Sequence, residues 1–357
     1  MKHLFYLLIL FMVITSCNKK PTREKAAKEN VRQLTDTIGF AQYPWQMDSI
    51  FSRMNSSDTI KTTLTYKAVI CPHDDYAYAA GLYAKTLSGI KANTIILVGV
   101  AHKAKKYELK DKLILGDFTQ WKSVYGNVKI SAIRNQLIDE LPQEDFIVHD
   151  SMMQTEHSLE AIVPFLQKQH ENVEIIPVLV PYNTFENMER YAADFSKVLY
   201  KIMKENKLTY GKDIAVVISN DAIHYGNKDW GGNNLAPFGT DSIGSEKALQ
   251  KDQKIIAECL TDSISPDKIQ LFNEYTVQPD NYMQYQWTWC GRYAVPFGLM
   301  MANNLNELLY KQSLNGHLID YRSSLKDKHI NTSDIGMGVT APAKTTHWVA
   351  YTGISYE

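Results

Sequence analysis

Leu64-Thr65-Tyr66-Lys67-Ala68-Val69-Ile70 leads directly into Cys71-Pro72-His73-Asp74-Asp75-Tyr76. A short apolar run rich in β-branched residues has the length and character of a strand buried on both faces. The segment after it is polar and carries an imidazole and two carboxylates. The pattern recurs: Thr94 to Val98 leads into Gly99-Val100-Ala101-His102, and Ile214 to Ile218 into Ser219-Asn220-Asp221-Ala222-Ile223-His224. A fourth run, Val173 to Val180, has the same make-up. Between the runs lie stretches with helical spacing, Ala79 to Ile90, Ile130 to Leu141, Leu159 to His170 and Phe185 to Asn206. Buried strands alternating with amphipathic helices predict a layered α/β fold with a largely parallel or mixed sheet. Two more helices are expected near Gly244 to Leu260 and Tyr293 to Lys311, and His347 to Ile354 alternates as a terminal strand at a sheet edge would.

In open α/β sheets ligands bind beyond the carboxyl ends of the strands, where the connecting loops converge. His73, His102 and His224 all fall just past such ends. One histidine there is most often structural; three in equivalent positions point to a shared site. A metal needs several donors at one point, with a vacant position if it is to do chemistry. The three imidazoles, the carboxylates of Asp74, Asp75 and Asp221, and a thiolate from Cys290 offer such donors. The spacing alone leaves alternatives open, since the chain has no HExxH and no paired CxxC. Asp221 and His224 suit one helical face, or else Asn220 or Asp221 caps a helix. Tyr76, Tyr78, Trp230, Trp287 and Trp289 suit a pocket for a planar ligand, and equally a core or its rim. No Gly-x-Ser-x-Gly elbow, Gly-x-Gly-x-x-Gly segment or Walker segment follows any strand, which excludes serine hydrolysis and nucleotide binding by those devices.

The 357 residues carry 38 basic and 39 acidic side chains, with no Lys/Arg stripe that would follow a phosphate backbone, so nucleic acid is excluded as a partner. At the amino end Lys2 and His3 precede an apolar run from Leu4 to Ile14 that closes on Thr15-Ser16-Cys17. The run is far short of the roughly 20 residues a spanning helix needs. It resembles a lipoprotein signal peptide, residues 1–17, which implies lipidation at Cys17 and a place in the cell envelope, with membrane contact through the anchor only. Residues 18–36 are polar and read as a flexible tether. Residues 37–357 read as a single domain. With Cys17 acylated, Cys71, Cys259 and Cys290 remain, and an odd number argues against a disulfide framework. Cys259 has apolar neighbours at helical spacing and is expected in the core, as is Cys71.

Five motifs occur in order: Glu156-His157-Ser158-Leu159-Glu160 with Pro164-Phe165-Leu166; Ile176-Pro177-Val178; Ser219-Asn220-Asp221; His224-Tyr225-Gly226; and Cys290-Gly291. Together they resemble the Memo family, whose bacterial members are called AmmeMemoRadiSam system protein B, over roughly Tyr66 to Asn304. The resemblance implies a three-layer α/β/α fold like that of the LigB-type extradiol dioxygenases. It implies two histidines and a cysteine where those enzymes hold a non-haem iron: His73, His102 and Cys290. His224, with Asp221 near it, then stands where the dioxygenases keep an acid/base group. Glu156 and His157 would flank the cleft, behind the ligands or facing substrate, or simply cap the helix expected from Leu159. The implied cofactor is one divalent or redox metal ion, iron first, copper or zinc as alternatives.

The chain departs from the family pattern twice. Pro72-His73-Asp74-Asp75-Tyr76 stands where Pro-His-Ala-Gly-Tyr is usual, so either aspartate can serve as a ligand, an arrangement that suits iron(II). Gly99-Val100-Ala101-His102 stands where Gly-Pro-Asn-His is usual, which removes an asparagine beside His102. The functional expectation is metal-dependent redox or oxygenase-like action on a small molecule. A non-catalytic peptide- or metal-binding protein and a metal-dependent hydrolase are the alternatives, because some relatives are described as signalling adaptors.

Overall fold

The computed structural model describes residues 29–59 and 62–357; the expected signal peptide and Cys17 lie outside them. The first strands are β1 (Val31–Arg32), β2 (Ala68–Cys71), β3 (Thr94–Val100), β4 (Leu113–Leu115) and β5 (Gln120–Ser123). Then come β6 (Gly126–Ile130), β7 (Phe146–Val148), β8 (Glu174–Val180), β9 (Ile214–Ser219) and β10 (Asp221–Gly226). The last are β11 (Asp262–Ser263), β12 (Val277–Gln278), β13 (Asn281–Tyr285), β14 (Asn315–Ser323) and β15 (His347–Tyr356). The main sheet runs β1-β5-β6-β8-β3-β9-β2-β15-β14-β11. Its centre, β8-β3-β9-β2, is parallel, and β15 joins β2 and β14 antiparallel, so the sheet is mixed.

Strand alternation divides the core in two. Ile70, Ile96, Val98, Ile176, Val216 and Ile218 face a cluster that includes the helices Phe185–Glu205 and Ala294–Tyr310. Val69, Cys71, Ile95, Leu97, Ile175 and Val217 face a second cluster with the helices Tyr76–Leu87 and Val163–Gln169. The result is the expected three-layer α/β/α arrangement. Helix Phe185–Glu205 buries Met188, Tyr191, Ala192, Phe195, Leu199 and Ile202, a stripe at the helical period, and Thr184 caps it by accepting from the Asn187 amide. Helix Ala294–Tyr310 lies so near the sheet that a Cβ on Gly298 would fall 2.8 Å from Ile218 Cγ1.

Several expectations shift. The strand expected from Leu64 begins at Ala68, leaving Leu64 exposed; Ile130 ends a strand, and the helix expected from it begins at Ile133. The helix expected from Leu159 begins at Val163, so Glu156-His157-Ser158 does not cap it. Asp221 to Gly226 is a strand, not a helical face or a cap. The terminal strand is interior: β15 lies between β2 and β14, and all ten of its residues are buried. The tether also ends before Asp36. Val31–Arg32 pairs with Gln120–Trp121, and the Arg32 side chain is 0% exposed, which places residues 31–36 in the domain. No helix of the described residues is long and apolar enough to cross a membrane.

Candidate metal centre

Strands β3, β9 and β2 are neighbours, so the loops at their carboxyl ends open onto one place; Cys71 pairs directly with Ser219. Pro72 ends β2 and delivers His73, which is 2% exposed. Its Nδ1 lies 2.7 Å from Ser219 Oγ, and that hydroxyl donates to the Ser158 carbonyl at 2.7 Å. A hydroxyl has one proton to give, so Nδ1–H of His73 donates to Ser219, which leaves the Nε2 lone pair free. Nε2 sits 3.4 Å from Cys290 Sγ and 3.3 Å from Asp221 Oδ2. Burial, then the imidazoles of His102, His157 and His224, push the His73 pKa well below its usual value, so the ring is a neutral donor.

His102 follows β3, and Glu156 holds it twice: its amide donates to Oε2 at 2.7 Å and its Nδ1 to Oε1 at 2.8 Å. Glu156 is 1% exposed and also accepts the amides of His157 and Ser158, each at 3.0 Å. Burial opposes its charge, but the His102 imidazole and these donors win and bring its pKa down to about 2. A carboxylate that receives Nδ1–H fixes a histidine tautomer and leaves Nε2 to bind. His157 stacks on His102 with ring centroids 4.7 Å apart, and both rings lie edge-on to His73, at 5.2 Å for His102 and 5.8 Å for His157.

On the other side of His73, Asp221 Oδ1 accepts the His73 amide at 2.9 Å, and the Asp221 amide donates to Cys290 Sγ at 3.1 Å. Burial, then Asp74, raises the Asp221 carboxyl well above the usual range, and burial, then Asp221, does the same to the Cys290 thiol. Burial thus favours the neutral form of both groups, and a metal ion bound beside them would favour their charged forms instead. His224 Nδ1 faces the Ala222 and Thr288 carbonyls, each at 3.3 Å, so it carries the proton and its Nε2 is free.

Five imidazoles, those of His73, His102, His157, His224 and His347, line a cleft of about 340 Å³ together with Asp221. Among the described residues two donor sets have ligand atoms mutually within 4.8 Å: His73, His102 and His157, and His73, Asp221 and Cys290. The expected trio of His73, His102 and Cys290 thus divides between two overlapping sets that share His73. Asp74 and Asp75 border the cleft but are engaged elsewhere. Asp74 accepts from the Tyr351 hydroxyl at 2.7 Å, and Asp75 accepts the Thr340 amide and hydroxyl, while burial, then Asp74, raises its pKa to about 7. The carboxylate that reaches His73 is Asp221. Of the five aromatics considered for the pocket, Trp230 alone lines it, stacked on His347 at 3.8 Å. Trp287 and Trp289 are buried with their indole N–H groups on Asp252. Cys71 and Cys259 are core thiols, as expected. Sequence reasoning missed His347, hidden in a run that reads only as a strand, and Asp36, which lines the cleft from the supposed tether.

Fold and site together define a three-layer α/β protein with a buried His/Asp/Cys metal-type cleft at the carboxyl edge of its sheet. A family profile described as Memo-like protein matches residues 41–340, and the chain belongs to the Memo family. A MEMO1 family protein of Aquifex aeolicus is 25% identical over 214 residues, covering 58% of this chain and 53% of the relative. One of Methanothermobacter thermautotrophicus is 28% identical over 169 residues, covering 46% and 56%. One of Archaeoglobus fulgidus is 24% identical over 184 residues, covering 51% and 64%. The chain spans about half the length of the first curated relatives it matches.

Proposed function

We propose that the cleft binds one divalent or redox metal ion at His73, with His102 and Cys290 of the two donor sets as its further ligands, and that the protein uses it in redox or oxygenase-like chemistry on a small molecule. The observation that carries this reading is the set of tethered imidazoles. His73, His102 and His224 are each held at Nδ1, by Ser219, Glu156 and backbone carbonyls, which leaves Nε2 free on each. Asp221 and His157 adjoin the ligands and can complete either donor set. Bound there, the ion would supply Lewis acidity and, where it is iron or copper, a redox couple. Histidine and carboxylate donors favour iron(II), while a Cys290 thiolate admits copper or zinc. His224, half-buried and lowered in pKa by desolvation, is neutral near pH 7 and takes a proton at Nε2 from a substrate in the cleft. Trp230 and His347 form the wall against which a planar ligand packs.

Metal content of the protein purified without oxygen, followed by oxygen uptake with a catechol as probe, tests the reading. Stoichiometric iron with His224-dependent uptake supports it. Bound metal with no turnover of any probe makes the protein a binding protein instead, and failure to bind iron, copper or zinc removes the proposal. Attachment to the envelope through Cys17 is part of the same proposal, supported by residues 2–17. Cys17→Ala should abolish labelling by radioactive fatty acid and release the protein from the membrane fraction.

A further inference from the structure

Residues 31–36 precede the family-matched span and still reach the metal site. Arg32 is 0% exposed and spreads its guanidinium over the segment that carries Glu156 and His157. Nε donates to the Met153 carbonyl at 2.9 Å, Nη2 to the Glu156 carbonyl at 2.5 Å, and Nη1 to Glu160 Oε2 at 2.6 Å and to the Gln33 carbonyl at 3.1 Å. The Trp121 ring covers its face at 4.4 Å. Glu160 in turn accepts the Thr35 and Asp36 amides, at 3.0 and 3.2 Å, and Gln154 exchanges two hydrogen bonds with the Gln33 backbone. Segment 31–36 is therefore fastened along residues 153–160. Glu156 is gripped at both ends, its carbonyl by Arg32 and its carboxylate by His102.

We infer that Arg32 is a positioning residue for the His102–His157 half of the metal centre, an inference that rests on the metal reading above. A buried guanidinium that joins two carbonyls and a carboxylate fixes the peptide planes of residues 153–156 more tightly than any single bond. Those planes set where the Glu156 carboxylate meets His102 Nδ1 and where the His157 amide points. Without Arg32, the carbonyls and the Glu160 carboxylate stay buried with fewer donors, and the segment relieves that by moving. The Asp221–Cys290 half hangs on β10 and its neighbours, which Arg32 does not touch, so it keeps its geometry.

Cobalt(II) titration of the whole protein tests this, because its visible bands report ligand geometry and its near-ultraviolet sulfur band reports Cys290. The variants are Arg32→Met, Arg32→Lys and Cys290→Ser. Loss of a group that orients a ligand typically weakens metal binding about 10- to 100-fold. Arg32→Met is expected to weaken cobalt binding in that range and shift the visible bands while keeping the sulfur band. Arg32→Lys, with charge but no fork, should fall between it and wild type. Cys290→Ser should lose the sulfur band and bind cobalt at least about tenfold more weakly. If folded Arg32→Met binds cobalt with wild-type affinity and spectrum, the positioning role is wrong while the metal reading stands. If wild type binds no cobalt, both fall. Should Arg32→Met fail to give a cooperative melt, Arg32→Lys decides: wild-type binding by it overturns the inference.

Discussion

Replacing Glu156 by Gln tests the electrostatics of the site most sharply. The carboxylate collects the N–H groups of His102 twice, at 2.7 and 2.8 Å, and of His157 and Ser158 once each, at 3.0 Å. Its pKa falls from 4.5 to about 2 although burial works against the charge. That drop of roughly 2.5 units corresponds to about 3 kcal/mol of folding stability, at 1.36 kcal/mol per unit. The folded pKa is the depressed one, so the stabilisation is complete above pH 4.5 and is lost as the pH falls towards 2. Gln keeps one acceptor oxygen but sets an NH2 group against the His102 amide, which makes a donor–donor contact where a short bond stood. Urea unfolding of both proteins at several pH values between 7 and 2 should show Glu156→Gln less stable by about 3 kcal/mol at pH 7, with the gap closing below pH 4.5. Metal affinity should fall about 10- to 100-fold at neutral pH. A gap that does not change with pH, or no gap at all, would refute the assignment of charge to Glu156.

The two buried thiols should behave differently. Cys290→Ser should remove any sulfur-to-metal absorption and weaken binding at least about tenfold; Cys71→Ser should leave metal stoichiometry unchanged and lower stability by about 1–3 kcal/mol, read from denaturant melts, because it puts a hydroxyl in an apolar cluster. Asp252→Ala strands the indole N–H groups of Trp287 and Trp289, the Tyr321 hydroxyl and the Ile223 amide, so a loss of about 4 kcal/mol or more is expected at about 1–3 kcal/mol for each group left unpaired. Burial raises the Asp252 pKa from 3.8 to about 6, so its contribution to stability declines as the pH rises through that window, and that slope should vanish in Asp252→Asn. Gly291→Ala would bring a Cβ within 2.4 Å of Asn220 Oδ1, the acceptor of the Gly291 amide at 2.9 Å, and should displace Cys290 enough to reduce metal affinity measurably by titration.

The parallel centre of the sheet was readable because its strands are buried on both faces, and continuous runs such as Thr94–Val100 and Glu174–Val180 have no other easy home. The segment around Asp221 was not. A spacing of three residues between two polar groups matches one helical face, whereas a regular strand sends residues i and i+3 to opposite sides. The pairing of β10 with β15 is irregular between Asp221 and His224, and that irregularity lets both border one cleft from a strand. Nothing local in Ser219-Asn220-Asp221-Ala222-Ile223-His224 announces it, since the register depends on β15, more than a hundred residues further along.

The same distance dependence explains the misread amino end. Composition judges whether a segment can order itself by burying apolar surface, and residues 18–36 have little to bury. Arg32 is buried by another route: four acceptors, three of them on residues 153–160, satisfy its guanidinium, and Trp121 covers it. A buried charge is tolerated only where its partners are already in place, so its burial cannot be read from its own neighbours in the chain. His347 was overlooked for a related reason. Its ring lies in the cleft because Trp230 stacks on it and the Lys228 carbonyl sits 2.9 Å from its Nδ1, and both come from the loop after β10. The donors visible in the sequence are those at strand ends, where topology alone predicts convergence. Arg32, Asp36 and His347, which complete the site, come from segments remote from those strand ends, and only the packed structure brings the two together.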